Sequence, residues 1–186
     1  MWIVIVLVLL VVVVLAIAFM QFNKLRKASV RVDEGYAQIE VQLARRADLI
    51  PNLVETVKGY ASHERTVLEA VTAARVAVKS AHSVDETAAA DGQLNRAVAD
   101  VMAVAENYPD LKASANFLAL QEELSTTENK VAFARQFYND CVRVLNEAMV
   151  TFPSMLFVSM AGVKKREFYE VPDPSQRDAP NVQFGS

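Results

Sequence analysis

His63-Glu64 opens like the zinc-binding H-E-x-x-H helix, in which two imidazoles one turn apart grip the metal and the glutamate activates water. Position 67 is Val67, so the second ligand is missing. A carboxylate-bridged di-iron bundle needs two Glu-x-x-His pairs. The chain has only His63 and His82, and neither follows a glutamate by three residues. Cys141 is the single cysteine, which excludes an intrachain disulfide. Between apolar helix positions it reads as a small buried hydrophobe. The five glycines are too scattered to cradle a phosphate. The expectation is therefore no catalytic residue, no metal and no cofactor: not an enzyme.

The remaining polar chemistry is that of ion pairing and docking. Arg45 and Arg46 stand near one end of a helical segment, and Glu122, Glu123 and Glu128 stand near the start of another. Pairing between them would fix the register of two helices, although paired charges are weak evidence for net stability. The alternative is a partner-binding face built from Arg45, Arg46, Asp48, Pro51, Asn52, Tyr108, Pro109 and Asp110, the residues around two proline-containing breaks. A formal net charge of −3, with no basic patch interleaved by aromatics, argues against nucleic acid as a partner.

The elements that position these residues begin with an anchor. Residues 1–20 carry no charged side chain. As a helix at ~1.5 Å per residue they reach ~30 Å, the thickness of a bilayer's hydrocarbon core. A cleaved signal peptide would need a basic leading region, which is absent, although Ala16-Ile17-Ala18 resembles a cleavage site. Lys24, Arg26, Lys27 and Arg31 crowd the C-terminal flank, so the positive-inside rule places the N-terminus outside and the remainder in the cytoplasm.

Four helical segments are expected after it. The first continues the membrane helix, with Val32, Tyr36, Ile39 and Leu43 on one stripe. Asp48-Leu49-Ile50-Pro51 should break it, because proline disfavours helix in the residue before it; a kinked helix running through Pro51 is the alternative. The second segment covers 51–81, with Leu53, Val57, Tyr60, Val67, Val71, Ala74 and Val78 inward. Ser83 and Glu86 form a capping box for the third, with Glu86 reaching back to the Ser83 N–H. Asn107-Tyr108-Pro109-Asp110 ends that helix.

The fourth segment, 111–151, places Phe117, Leu120, Leu124, Val131, Ala134, Tyr138, Cys141, Leu145, Ala148 and Phe152 on a strict heptad, with Thr127 the one polar member. The fold class expected is all-α: a transmembrane helix continuing into an antiparallel up-down four-helix bundle of long helices. One length does not fit, because the fourth helix outruns the first: either it projects beyond the bundle, offering a packing surface to another subunit, or the bundle tilts. The domains expected are an anchor at 1–23, a bundle at 24–151, an apolar and basic membrane-proximal segment at 152–169 and a mobile tail at 170–186. Within the third, Phe152, Phe157, Lys164, Lys165 and Arg166 suit a membrane surface. A cap over the bundle, burying Phe157, is the competing reading.

The residues then become recognisable. Gln38-Ile39-Glu40-Val41-Gln42-Leu43, the run from Arg45-Arg46-Ala47-Asp48 to Lys58-Gly59-Tyr60, and Glu106-Asn107-Tyr108-Pro109-Asp110-Leu111-Lys112 resemble the LemA family. So do Asn116-Phe117, the stretch from Leu120-Gln121 to Asn129-Lys130, Arg135, Tyr138-Asn139 and Phe152-Pro153. The resemblance implies a bacterial membrane protein with an N-terminal membrane helix and a helical bundle, and it implies no particular activity.

The function expected is a non-enzymatic scaffold in the bacterial inner membrane. It would touch the bilayer and either self-assemble as a homo-oligomer or organise envelope proteins or membrane. The alternative is an adaptor that docks onto a membrane protease or signalling enzyme through its distal loops.

Overall fold

The structure, a computed structural model, describes residues 1–171. Among these residues every regular element is a helix: α1 Trp2–Lys58, α2 Arg65–Ser80, α3 Val84–Ala105, α4 Pro109–Lys112, α5 Ala115–Val150, a 3-10 turn Ser154–Phe157 and α6 Val158–Ala161. The expected tail at 170–186 lies outside the described residues except for its first two.

The sequence-expected break at Pro51 does not occur. α1 runs through the proline, and the chain reverses instead at 59–64, between Lys58 and Arg65. Gly59, the poorest helix former short of proline, follows the last helical residue. Tyr60, expected inward, is 48% exposed in this turn. The second segment is correspondingly shorter than expected, at 16 residues. With α1 extended to Lys58, its stretch beyond the apolar run is about as long as α5, at 36 residues, which removes the length mismatch expected between the two helices.

The α3 start follows the capping pattern with one shift. Ser83 Oγ accepts from the Glu86 N–H at 3.2 Å, while the Glu86 carboxylate reaches to the His82 N–H at 2.9 Å rather than to that of Ser83. These two bonds satisfy donors that a helix start leaves open. That backbone donor, helped by the Ser83 backbone and opposed by burial, holds Glu86 below its ordinary value.

The chain divides into two compact units. One comprises Met1–Ile39 and Val131–Phe168. Its apolar run at 1–20 is exposed throughout, apart from a partly covered Ala18, and is long and apolar enough to cross a membrane, as an anchor or a signal sequence would be. Below it, Gly35 lets α1 and α5 approach, since a Cβ there would lie 3.1 Å from the Tyr138 Cα. The Tyr36 and Tyr138 rings meet tilted at 6.0 Å between centroids. Burial raises the Tyr138 hydroxyl, which donates to the Glu167 carbonyl at 2.8 Å.

The other unit comprises Glu40–Lys130 and, among the described residues, 169–171. Its core draws Ile50, Leu53 and Val57 from α1, Leu68 and Val71 from α2, Leu94 and Val101 from α3, Leu111 from α4, and Phe117 and Leu124 from α5. α2 and α3 pack together as a helical hairpin. Tyr169 donates to the buried Asp91 carboxylate at 3.1 Å, and Gly92 beside it leaves room for Val171, whose Cγ1 would sit 3.1 Å from a Cβ.

The heptad reading of α5 survives over Phe117, Leu124, Thr127, Val131, Ala134, Tyr138, Leu145 and Ala148, all buried. It fails at three positions. Leu120 and Cys141 are only half-buried, Phe152 is 78% exposed, and Val142 rather than Cys141 is fully buried. A helix of 3.6 residues per turn drifts against a 3.5 repeat, so the buried stripe steps over by one residue.

Candidate functional site

Pro51 has no N–H, so inside α1 it leaves the Ala47 carbonyl, four residues back, without its helical donor. Arg75 of α2 replaces that donor: its Nε–H reaches the Ala47 oxygen at 3.1 Å. One residue on, Lys79 donates to Asp48 at 2.7 Å. That hydrogen bond, with the lysine's charge, holds the Asp48 carboxyl below its ordinary value. Two cations of α2 thus clasp the proline turn of α1.

Arg46 is 1% exposed, and its guanidinium donates to the Asn95 amide oxygen and to Glu128, the latter at 3.4 Å. Arg45 pairs with Glu123 at 3.4 Å across an exposed edge. Glu122 is exposed. The pairing expected between the α1 arginines and the α5 carboxylates is therefore present, with Asn95 of α3 as a third participant. Such a polar contact is geometrically demanding, and the planar fork of arginine suits it better than lysine would.

Of the eight residues expected at a partner face, Arg45, Asp48, Pro51, Asn52, Pro109 and Asp110 are exposed, Tyr108 is half-buried and Arg46 is buried. Arg46 is buried, Asp48 is tied to Lys79, and Pro51 and Asn52 sit on a helix rather than in a loop. Tyr108 is half-buried and donates to Glu64 at 3.1 Å, a bond that raises its own hydroxyl above the ordinary value. It joins the 59–64 turn to the start of α4. Pro51, Asn52, Pro109 and Asp110 remain exposed, and Arg45 is exposed beside Glu123.

Two surfaces in the other unit stand out. A groove of about 620 Å³ lies between α1 and α5, its apolar wall formed by Ala28, Phe137, Cys141, Val144 and Ala148. Lys24, Lys27 and Arg31 edge it from α1, and Asp140 edges it from α5. Beside it α5 exposes Phe133 at 72%, Phe137 at 42% and Val144 at 48%, positions that recur on one helical face. Burial raises the Cys141 thiol, partly offset by the nearby Arg31.

The second surface is the elbow after α5. The segment Ser154–Ala161 turns by 89° from the α5 axis. Its inner face, Phe157, Val158 and Ala161, packs with Val163 on Phe22, Leu25, Ala148 and Met149. Gly162, at φ +62°, closes α6 in the left-handed conformation that glycine adopts without strain. The basic triplet divides. Lys164 and Lys165 are exposed, whereas Arg166 exchanges two backbone hydrogen bonds with Asn146 and pairs with Asp33 at 2.7 Å. Phe157 thus faces inward as the cap reading held and Phe152 faces outward, while Arg166 serves the fold.

Sequence reasoning missed Arg75, Asn95 and the Tyr169–Asp91 pair. A proline at position 51 was the one available signal for the first, since an orphaned carbonyl calls for a donor. Among the described residues no group of three or more His, Cys, Asp or Glu side chains comes together.

No curated protein matches the chain. The LemA family model matches residues 35–184, which include the arginine cluster, the proline turn, the groove wall on α5 and the elbow. On that match across most of its length, the chain belongs to the LemA family.

Proposed function

We propose that this chain is a non-enzymatic scaffold of the bacterial inner membrane that assembles with copies of itself. The apolar start of α1 serves as its anchor, with the N-terminus outside and the basic flank in the cytoplasm. The long helices form an antiparallel up-down four-helix bundle, held in register by Arg45 and Arg46.

The observation that carries the reading is the uncovered apolar face of α5, with Phe133, Phe137 and Val144 exposed beside a groove of about 620 Å³. Contiguous apolar surface on a soluble region marks an interaction site. A second copy fits it on physical grounds. Two chains anchored in one bilayer share direction and depth, so equivalent residues meet at equal height. A two-fold axis along the membrane normal sets the α1 edge of each copy against the α5 edge of the other. Lys24, Lys27 and Arg31 then face Asp140, opposite charges on opposing rims.

The test is the particle mass of the full-length protein in mild detergent and in lipid discs. Self-assembly predicts dimers or larger even-numbered particles in lipid. Strict monomers in both media would remove the scaffold reading and leave the adaptor, in which Asn52 and Asp110 contact a different protein.

A further inference from the structure

We infer that the elbow Ser154–Ala161 is a second membrane attachment, lying flat in the bilayer interface beside the α1 span; this rests on the anchor reading above. The fold accounts for only one of its faces. Phe157, Ala161 and Val163 cover Leu25 and Phe22, which is all that capping the helices requires. The other face carries Met155 at 50% exposed, Leu156 at 63% and Met160 at 60%, and Phe152, two residues before the elbow, is 78% exposed. Four large apolar side chains between positions 152 and 160 are thus left at least half exposed.

Their position identifies what does. Ser154 Oγ donates to the Gln21 amide oxygen at 2.7 Å, and Gln21 is the first polar side chain after the exposed run at 1–20. If that run crosses the hydrocarbon core, Gln21 marks the level at which lipid gives way to headgroups. The hydrogen bond fixes the elbow at the same level. The 89° turn from α5 lays the segment across the direction of that helix, as an interfacial helix requires. Lys164 and Lys165 follow within a few residues and remain exposed, available to anionic headgroups. Met155 and Met160 are flexible enough to fit an irregular lipid surface. The occupant is therefore the bilayer, through its acyl–headgroup boundary. A chain held at two points on one leaflet cannot swing freely about its span.

The experiment uses the full chain with Trp2→Phe, so that a single introduced tryptophan reports depth. Phe152→Trp and Leu156→Trp are each placed in vesicles of phosphatidylcholine and phosphatidylglycerol with brominated acyl chains, and Phe133→Trp, exposed on α5, is the comparison. All three substitutions sit at exposed positions. The inference expects emission from positions 152 and 156 to fall at least about twofold on bromination, the depth expected of an interfacial apolar face, with position 133 unchanged. Equal quenching at 152 and 133, whether high or low, in protein that stays with the vesicles through an alkaline carbonate wash, overturns the elbow and leaves the anchor intact. Release of the protein by that wash overturns the anchor and the elbow together.

Discussion

Arg75 shows how a single side chain can excuse a broken rule. Proline in a helix interior costs its own hydrogen bond, and the carbonyl four residues back loses its donor. Here the Arg75 guanidinium, 28 residues away in sequence, donates to that Ala47 carbonyl. Replacing Arg75 with Met should cost about 1–2 kcal/mol, because a partly buried acceptor goes unpaired. Pro51→Ala restores the backbone donor. In that background the same Arg75→Met change should cost less than about 0.5 kcal/mol, measured by urea denaturation as a double-mutant cycle. Arg46 makes a parallel case. As a buried register pin it predicts that Arg46→Met lowers stability by roughly 1–3 kcal/mol, leaving Asn95 without its donor. Intact thermal stability with loss of assembly would instead assign Arg46 to docking.

At the scale of elements, much was legible in the residues. The α5 heptad located most of its buried face, and Ser83 with Glu86 located the start of α3. The apolar run and its basic flank located the membrane-length stretch of α1. What escaped was compensation from a distance. The α1 break was expected at Pro51 because local preference points there, and no local pattern reveals that α2 supplies the missing donor. The Tyr169–Asp91 contact escaped for the same reason, since a tyrosine before a proline-rich tail gives no hint of a buried carboxylate 78 positions earlier. The α3 cap has a pH signature. The His82 N–H, more than any other neighbour, lowers the folded-state pKa of Glu86, so its contribution is present above the unfolded glutamate value and lost as pH falls through the lower folded one. Glu86→Gln should therefore melt below the native chain at pH 7, and the gap in Tm should begin to shrink as pH falls through the free glutamate value of about 4.3 and close below the lower folded one. A gap that persists unchanged at pH 3 would show that the carboxylate's charge is not what the cap uses.

For the whole molecule, the two surfaces serve different partners on the readings proposed above: the elbow turns its spare apolar face to lipid, and the groove between α1 and α5 turns its own to a second copy. Cys141, the one cysteine in the chain, lines that groove and serves as a native reporter. The most direct measurement is prolonged treatment of the full-length protein in lipid vesicles with a short bis-maleimide near neutral pH, where the thiolate fraction reacts and lysine amines do not, followed by denaturing electrophoresis. Two copies meeting groove to groove across an axis along the membrane normal should give a covalent dimer. The dimer should be lost in Cys141→Ser and strongly reduced in Phe137→Glu, which places a charge in the apolar wall. Complete labelling of Cys141 with no dimer, in vesicles where the protein is densely reconstituted, would contradict assembly through this face.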